Sequence, residues 1–358
     1  MKILMVTETW DLKHGPAETF YCNYKSFLNE KGHEVAAVDN MKNYIFIGGH
    51  TMWDYPAWLG RLRWGKINNH IINIKLRRIS AQMQPDLILI IKGENIFSKT
   101  ITWLKANTCA AIVNWDPDNP FWWSNTSTEL LRSMPLFDAF GTWSRAFFPA
   151  LASIGCRRVE YWPMFFNVER FRLDNKPPDP DEAKAYHSDI AFVGNGSPER
   201  AEMLRHLLDF DLALWGPWKC LEPEDPLRNH IRGAYLDGKR YAQVMRQTKI
   251  GVNVMNMQCR GASNLRTFET TGLGTMLLTE YSEEQARDLF VEDREIVCFR
   301  SPEELREKAK YYLQHEVERR QIALAGQQRT MREHTLKHRI ESILEVTNEI
   351  LATRHKED

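Results

Sequence analysis

The sequence predicts two Rossmann-like α/β domains, each a parallel sheet with helices on its faces. The chain has 358 residues, whereas a single domain usually spans roughly 100–200 residues, so two domains are the natural expectation. A strand–helix–strand pattern opens the chain, and the same pattern starts again after a proline-rich stretch near its middle. Apolar residues make up 43% and charged residues 26% of the chain, which is ordinary globular composition.

The first half begins with an apolar run at residues 2–6, typical of a parallel strand buried on both faces. Apolar residues then recur at helical spacing from Phe20 to Leu28, before a second strand at 34–39. Further strands are predicted at 85–93, 110–116 and 137–142. Because ligands of open parallel sheets gather at the carboxyl ends of strands, we expect a site along that edge.

The second half follows a polar stretch rich in proline, which is typical of an exposed connection between domains. Strands are predicted at 188–194, 212–216, 250–254, 276–279 and 296–299, and the sequence from Pro302 onward is helical and charged. We therefore expect an N-terminal domain at 1–168, a linker at 169–186, a C-terminal domain at 187–335 and a C-terminal helix at 336–358.

Charge and cysteine content narrow the class of protein. The 47 basic and 47 acidic residues cancel, so no overall charge attracts nucleic acid or an anionic membrane. The six cysteines are dispersed without zinc-ligand spacing, as expected of reduced thiols. Neither a signal peptide nor an apolar run of the roughly 18 residues that a bilayer span needs is evident, so we expect a cytoplasmic protein.

A glycine-rich loop at residues 194–200 lies between a strand and a helix. Bare glycine backbone and free helix N–H groups can approach a phosphate there, and an arginine could supply a counter-charge. The alternative is a tight turn closed by a Ser-Pro helix start. The donor-side candidates are Gly194, Asn195, Gly196, Ser197 and Arg200, with Trp215 at the end of the next strand.

The most informative stretch is residues 264–269, which starts with the candidate Asn264. Arg266 and Glu269 are three positions apart, so at a helix start they share one face. In the functional interpretation, Arg266 binds a diphosphate and Glu269 binds the paired hydroxyls of a ribose. In the structural one, they form an intrahelical salt bridge worth about 0.3 kcal/mol.

With these motifs, residues 192–339 resemble the C-terminal domain of the CgeB-like (spore-maturation-protein-like) glycosyltransferases of the GT-B superfamily. The matching segments, in the family's order, are FVGNGSPER, YAQVMRQTKIGVNV, NLRTFETTGLGTMLLTE and SPEELREKAKYYL. The first half matches more weakly, through MKILMV, DLILIIKGENI and the Trp-Asp-x-Asp-x-Pro element at 115–120.

The resemblance implies a GT-B fold, with two Rossmann-like domains facing a central cleft and a C-terminal helix that crosses back to the N-terminal domain. It implies a donor bound by the C-terminal domain and an acceptor bound by the N-terminal domain. We expect a nucleotide sugar, UDP-linked, as co-substrate and no further cofactor. Because no Asp-x-Asp clamp stands on a suitable donor-side loop, basic groups and helix N-termini would replace a metal.

Asp116 and Asp118 are the acceptor-side candidates for catalysis. Either could act as general base in an inverting reaction or orient an acceptor hydroxyl, and turn formation beside the neighbouring prolines is the alternative. The candidate acceptor-binding residues are Lys92, Trp115, Trp122 and Trp123. The three tryptophans would suit a sugar face or a flat base, and they would equally suit a core.

His14 and Gly15 lie in the first loop, where GT-B enzymes often bring a glycine-containing turn against the transferring group. His14 could protonate or position a substrate and Gly15 could face the donor. A histidine that is merely exposed or hydrogen-bonded is the alternative.

Several questions stay open at this point. Many retaining GT-B enzymes carry two glutamates eight positions apart, but Gly261 stands eight before Glu269, so the stereochemistry is undetermined and a non-catalytic nucleotide-sugar-binding protein stays possible. A dinucleotide oxidoreductase is disfavoured because the first loop lacks a complete G-x-G-x-x-G. The acceptor is open among a polysaccharide, a glycolipid, a protein, a small metabolite and a modified base in DNA, as is the oligomeric state.

Overall fold

The computed structural model describes residues 1–9, 20–40, 64–172, 180–259 and 261–357. The chain divides into two compact units, Met1–Pro163 with Lys337–Asp358, and Met164–Leu336. The division after Pro163 precedes the predicted linker at 169–186. Within that linker, Pro180–Tyr186 forms a helix, and residues 173–179 lie outside the described part of the chain.

The first unit is built on one parallel sheet with the strand order β2-β1-β3-β4-β5-β6. Its described elements are β1 (Lys2–Thr7), α1 (Phe20–Glu30), β2 (Glu34–Asp39), α2 (Trp64–Met83), β3 (Leu87–Ile91), α3 (Ser98–Asn107), β4 (Ala111–Asp116), α4 (Thr128–Ser133), β5 (Ala139–Thr142), α5 (Phe148–Ile154) and β6 (Val159–Tyr161). The five predicted strands are present, and β6 is an addition. Its three residues are only partly buried, so they carry no continuous apolar pattern.

The core of the first unit lies between the sheet and its helices. All five residues of β3 are buried, as are all six of β4, because helices cover both faces of a parallel sheet. Leu4 and Ile88 of the sheet belong to one apolar cluster with Leu76 of α2 and Leu104 of α3. The apolar runs in the sequence therefore predicted these strands correctly.

The second unit contains a second parallel sheet with the order β12-β11-β10-β7-β8-β9. Its described elements are α6 (Pro180–Tyr186), β7 (Ser188–Val193), α7 (Pro198–Leu204), β8 (Leu212–Trp215), β9 (Ile231–Gly233), α8 (Gly238–Arg246), β10 (Thr248–Asn253), α9 (Leu265–Gly272), β11 (Met276–Glu280), β12 (Val297–Phe299), α10 (Pro302–Gln314) and α11 (Glu316–Glu333). Two sheets of this kind confirm the predicted pair of Rossmann-like domains.

Side-chain caps fix where the helices of the second unit begin. Ser197, Asn264 and Ser301 each accept a hydrogen bond from a backbone N–H in the first turn of the following helix, at 3.2–3.3 Å. Such a cap satisfies one of the N–H groups that a helix start leaves unpaired. Among the described residues, no helix has the length and apolar composition needed to cross a membrane.

The last helix, α12 (Leu336–Glu357), belongs to the first unit from Lys337 onward. Arg354 donates to the backbone carbonyl of Ala110 at 2.8 Å and pairs with Asp138 at 2.7 Å. Glu349 pairs with Arg158, also at 2.7 Å. These contacts confirm that the C-terminal helix returns to the N-terminal domain.

Candidate functional site

The glycine-rich loop after β7 is closed by its own backbone hydrogen bonds. Gly194 donates to the carbonyl of Trp215 and Gly196 to the carbonyl of Pro217, each at 2.9 Å. A Cβ on Gly196 would lie 2.5 Å from the Trp218 ring, so glycine is required there for close packing. Both amide N–H groups are therefore already hydrogen-bonded within the protein, contrary to the interpretation of the loop as bare backbone for a phosphate.

Three other donor-side candidates also have structural roles. Ser197 caps α7, which is the alternative that the Ser-Pro pair suggested. Trp215 is buried, and its ring packs edge-on against Tyr186 at a centroid distance of 5.9 Å. The backbone carbonyl of Asn195 accepts a hydrogen bond from Nη1 of Arg200 at 2.8 Å, which holds the Arg200 side chain against the loop.

Arg200 is the group in this loop that is available to an anion. Its Nε donates to the carbonyl of Val254, just beyond β10, at 2.9 Å. Among the described residues, no carboxylate lies within ion-pair distance of its guanidinium. Burial lowers the pKa of Arg200 and the positive charge of Arg266 adds to this shift, while Cys259, Glu280 and Glu199 oppose it. An anion bound here would stabilise the charged guanidinium.

Arg266 and Glu269 lie on the first turns of α9, as the spacing predicted. The guanidinium of Arg266 hydrogen-bonds the carboxylate of Glu269, and its Nε donates to the carbonyl of Val193 at the end of β7, at 2.9 Å. Burial alone would lower the pKa of Arg266, but Glu269 and Tyr241 raise it above its usual value. The guanidinium also lies over the Tyr241 ring, 4.5 Å from its centroid.

Arg266 and Glu269 form the intrahelical salt bridge that the sequence left as an alternative, and its carboxylate is buried, since Glu269 is only 1% exposed. Its Oε1 lies 3.7 Å from Nη1 of Arg170, which is longer than a hydrogen bond. Oε1 therefore keeps capacity to accept a hydrogen bond. Arg170 and Tyr241 were not predicted as site residues, because they reach Glu269 and Arg266 only through the tertiary fold.

Asn264 serves the framework of this site. Its Oδ1 accepts from Thr267 in the first turn of α9. Its side chain also exchanges two 3.1 Å hydrogen bonds with Asn253 at the end of β10. Asn264 thus ties the start of α9 to the carboxyl edge of the sheet.

In the first unit, charged groups converge where β3 and β4 end. Lys92 and Asp118 form an ion pair. Burial would lower the pKa of Lys92, but Asp118, Glu94 and Asp116 raise it. Burial raises the pKa of Glu94, with Lys92 opposing the shift. The predicted Lys92, Asp116 and Asp118 therefore do come together, and Glu94 joins them.

Asp116 and Asp118 differ sharply in their surroundings. Asp116 is 1% exposed; its Oδ1 accepts the backbone N–H of Asp118 at 3.0 Å, and its Oδ2 is buried without a hydrogen-bond partner. Burial raises the pKa of Asp116 well above its usual value, although the bond from Asp118 opposes this. Asp118 keeps about a third of its side chain exposed. Asp118 is therefore the carboxylate that a solute can reach.

The acceptor-side tryptophans separate into two kinds. Trp115 is fully buried, and its Nε1 donates to the carbonyl of Trp162 at 3.1 Å. It is a core residue, which is the alternative that the sequence left open, and its ring has no free face for a sugar. Trp122 is half-buried, whereas Trp123 is 80% exposed. His14 and Gly15 lie outside the described residues.

Within the described ranges, no group of three or more His, Cys, Asp or Glu side chains is arranged to hold a metal ion. In the second unit, Arg200 and Arg266 are the candidates for contact with a diphosphate. Each is anchored to a strand end by a carbonyl.

Comparison with known proteins finds similarity in sequence and in fold. Residues 200–345 match the family described as "Glycosyl transferase-like". The chain is 23% identical over 277 residues to the Spore protein CgeB of Bacillus subtilis (strain 168), covering 72% of this chain and 80% of that protein.

Solved structures of similar fold cover almost the whole chain. Sucrose-phosphate synthase from Thermosynechococcus elongatus superposes with a TM-score of 0.70 at 12% identity, covering 99% of this chain and 100% of the other. A glycosyltransferase from Rickettsia africae gives 0.65 at 13% identity, covering 98% of both chains. Anabaena HepE in complex with UDP gives 0.62 at 13% identity, covering 98% and 100%. At these identities the likeness shows the fold, which is GT-B.

Proposed function

We propose that this chain, a CgeB-like nucleotide-sugar glycosyltransferase of the GT-B fold, takes its sugar from a UDP-linked donor and binds the nucleotide on its Met164–Leu336 unit. The UDP complexes of Anabaena HepE support the choice of nucleotide. In the reaction, the acceptor oxygen forms a bond to the anomeric carbon while the bond from that carbon to the diphosphate oxygen breaks.

The observation that carries this proposal is the pair of guanidinium groups at neighbouring strand ends. Arg266 is bonded to the carbonyl at the end of β7, and Arg200 to the carbonyl that follows β10. β7 and β10 are adjacent in the sheet, so both positive charges lie at its carboxyl edge. Two fixed cations suit a diphosphate, whose negative charge increases as its bond to the sugar breaks.

Glu269 supplies the second part of the donor site. Arg266 fixes its Oε2, and Oε1 is left to accept a hydrogen bond from a ribose hydroxyl. Because arginines neutralise the leaving group in this proposal, the transfer requires no metal. The nucleotide is then recognised through a phosphate contact at Arg200 and a sugar contact at Glu269.

The acceptor-side chemistry is assigned to the first unit. Asp118 takes the proton of the acceptor hydroxyl or orients that hydroxyl, since its carboxylate is partly exposed and held by Lys92. Asp116 holds the backbone of Asp118 through the 3.0 Å bond to its N–H and acts as a positioning residue. The exposed ring of Trp123 offers a face on which an acceptor sugar can stack.

Arg200→Met tests the phosphate contact. Removing one charge-assisted contact costs about 1.5–3 kcal/mol, so titration calorimetry should show UDP binding roughly 10- to 100-fold more weakly than to the wild type. Uridine carries no phosphate, and its affinity should not change.

Arg205→Met is the matched control, because Arg205 lies next to α7 but is half-exposed and paired with Asp225 at 2.6 Å. It should bind UDP like the wild type. Equal UDP affinity in the Arg200→Met and wild-type proteins would refute the assignment of Arg200.

A further inference from the structure

Arg339, in the first turn of α12, is a buried cation that the donor site does not explain. Only 6% of its surface is exposed, and its Nε and Nη2 are buried without a hydrogen-bond partner. Among the described residues, no carboxylate lies within ion-pair distance of it. A buried charge is costly unless it is paired, so this position calls for an anion.

The helix around Arg339 adds to the positive potential. The first turn of α12 contains Lys337 and His338 beside Arg339, and no acidic residue. Helix N-termini carry a partial positive charge and are stabilised by acidic residues. The first turn of α12 carries basic residues instead, so positive charge accumulates there. The partial positive charge of a helix start and a guanidinium beside it form a favourable setting for an oxyanion.

The surroundings of Arg339 place it toward the carboxyl edge of the first sheet. The phenol groups of Tyr24 and Tyr161 are the neighbours that act electrostatically on its side chain. Tyr161 is the last residue of β6, and Tyr24 lies on α1, which follows β1. The guanidinium of Arg145 lies over the Tyr161 ring, 4.3 Å from its centroid. Burial lowers the pKa of Arg339 to about 10, as expected of a cation without a counter-charge.

We propose that Arg339, with the hydroxyls of Tyr24 and Tyr161, binds an oxyanion carried by the acceptor, either a phosphate or a carboxylate. The inference rests on the proposed function, because it names the class of acceptor for the first unit. A neutral sugar would leave the cation unsatisfied, whereas a phosphorylated or acidic acceptor supplies its counter-charge. The anion anchors the acceptor, and the reacting hydroxyl belongs to another part of the same molecule.

The first test compares Arg339→Met with the wild type by thermal unfolding in a chloride buffer at constant ionic strength. Because the substitution removes an unpaired buried charge, the variant should melt at a higher temperature than the wild type. Arg354→Met on the same helix is the control: it breaks the bonds to Ala110 and Asp138 and should melt at a lower temperature. A lower melting temperature for Arg339→Met would overturn the proposal, because Arg339 would then have a structural partner.

The second test measures ligand binding by the full-length protein. Inorganic phosphate and glucuronate are the two anionic probes, and glucose is the neutral one. At least one anion should raise the melting temperature of the wild type more than that of Arg339→Met, with Arg339→Lys in between, while glucose affects all three equally. The anion with the larger difference identifies the source of the charge. Equal responses of the wild type and Arg339→Met to both anions would refute the site.

UDP titration keeps this inference distinct from the donor assignment. Arg339→Met should bind UDP with wild-type affinity, and a tenfold or greater loss would assign Arg339 to the donor and overturn an acceptor subsite. If the wild type bound no UDP, the donor proposal would fail, while the anion response of Arg339 would still be measured independently.

Discussion

Replacing Glu269 with glutamine should weaken both the fold and nucleotide binding, by amounts that follow from its contacts. The carboxylate is buried, bonded to Arg266 and 3.7 Å from Arg170. Breaking a fully buried ion pair costs about 3–5 kcal/mol, and the cost is lower here because the Arg266 side chain is 36% exposed. Glutamine retains the size and one acceptor oxygen, and Arg266 keeps its bond to Val193, so we expect a loss of about 2–3 kcal/mol in the free energy of unfolding.

The effect on the nucleotide comes from the ribose. A neutral amide oxygen accepts a hydroxyl hydrogen bond less strongly than a carboxylate, and the difference of about 1–1.5 kcal/mol corresponds to roughly 5- to 12-fold in affinity for UDP. Urea unfolding measures the first quantity. Titration calorimetry at a temperature where the variant is folded measures the second.

A double-mutant cycle separates ribose recognition from general damage. UDP lacking the 2′ and 3′ hydroxyls should bind the wild type and Glu269→Gln with nearly the same affinity, because the contact that the substitution removes is already absent. Glu304→Gln is the control variant, since Glu304 also contacts two cations of this unit, Lys308 at 2.8 Å and Arg300 at 3.8 Å. It should leave UDP affinity unchanged. If Glu269→Gln were destabilised but bound UDP within twofold of the wild type, the carboxylate would be structural and the ribose assignment wrong.

Two further predictions concern the first unit. Because burial raises the pKa of Asp116, the folded protein holds that proton more tightly than the unfolded chain, and stability is lost as the pH rises from the ordinary carboxyl pKa through the raised one. Asp116→Asn should therefore melt above the wild type by a margin that grows with pH across that window, and a margin independent of pH would contradict the burial argument. A Cβ on Gly141 would lie 1.9 Å from the buried ring of Trp162, so Gly141→Ala should lose about 3 kcal/mol in urea unfolding. A loss below about 0.5 kcal/mol would show that the ring can move aside.

The repeated pattern of apolar strands and amphipathic helices determined the fold class. That pattern is local: each parallel strand is buried on both faces and so appears as a continuous apolar run, as in β3 and β4. The short strands β6 and β9 escaped prediction because strands of three partly buried residues have no such run. These two strands are defined by their parallel pairing, β6 with β5 and β9 with β8.

The sequence by itself also determined that Arg266 and Glu269 share a helix face, since residues three apart on a helix are neighbours wherever the helix lies. Only the tertiary structure decided that Glu269 is buried, that Arg266 is anchored to β7, and that Arg200 reaches the end of β10. It also decided that Trp115 is a core residue, and that Arg339 is a buried cation. Burial and counter-charge depend on residues far apart in the chain, which the order of the strands brings together.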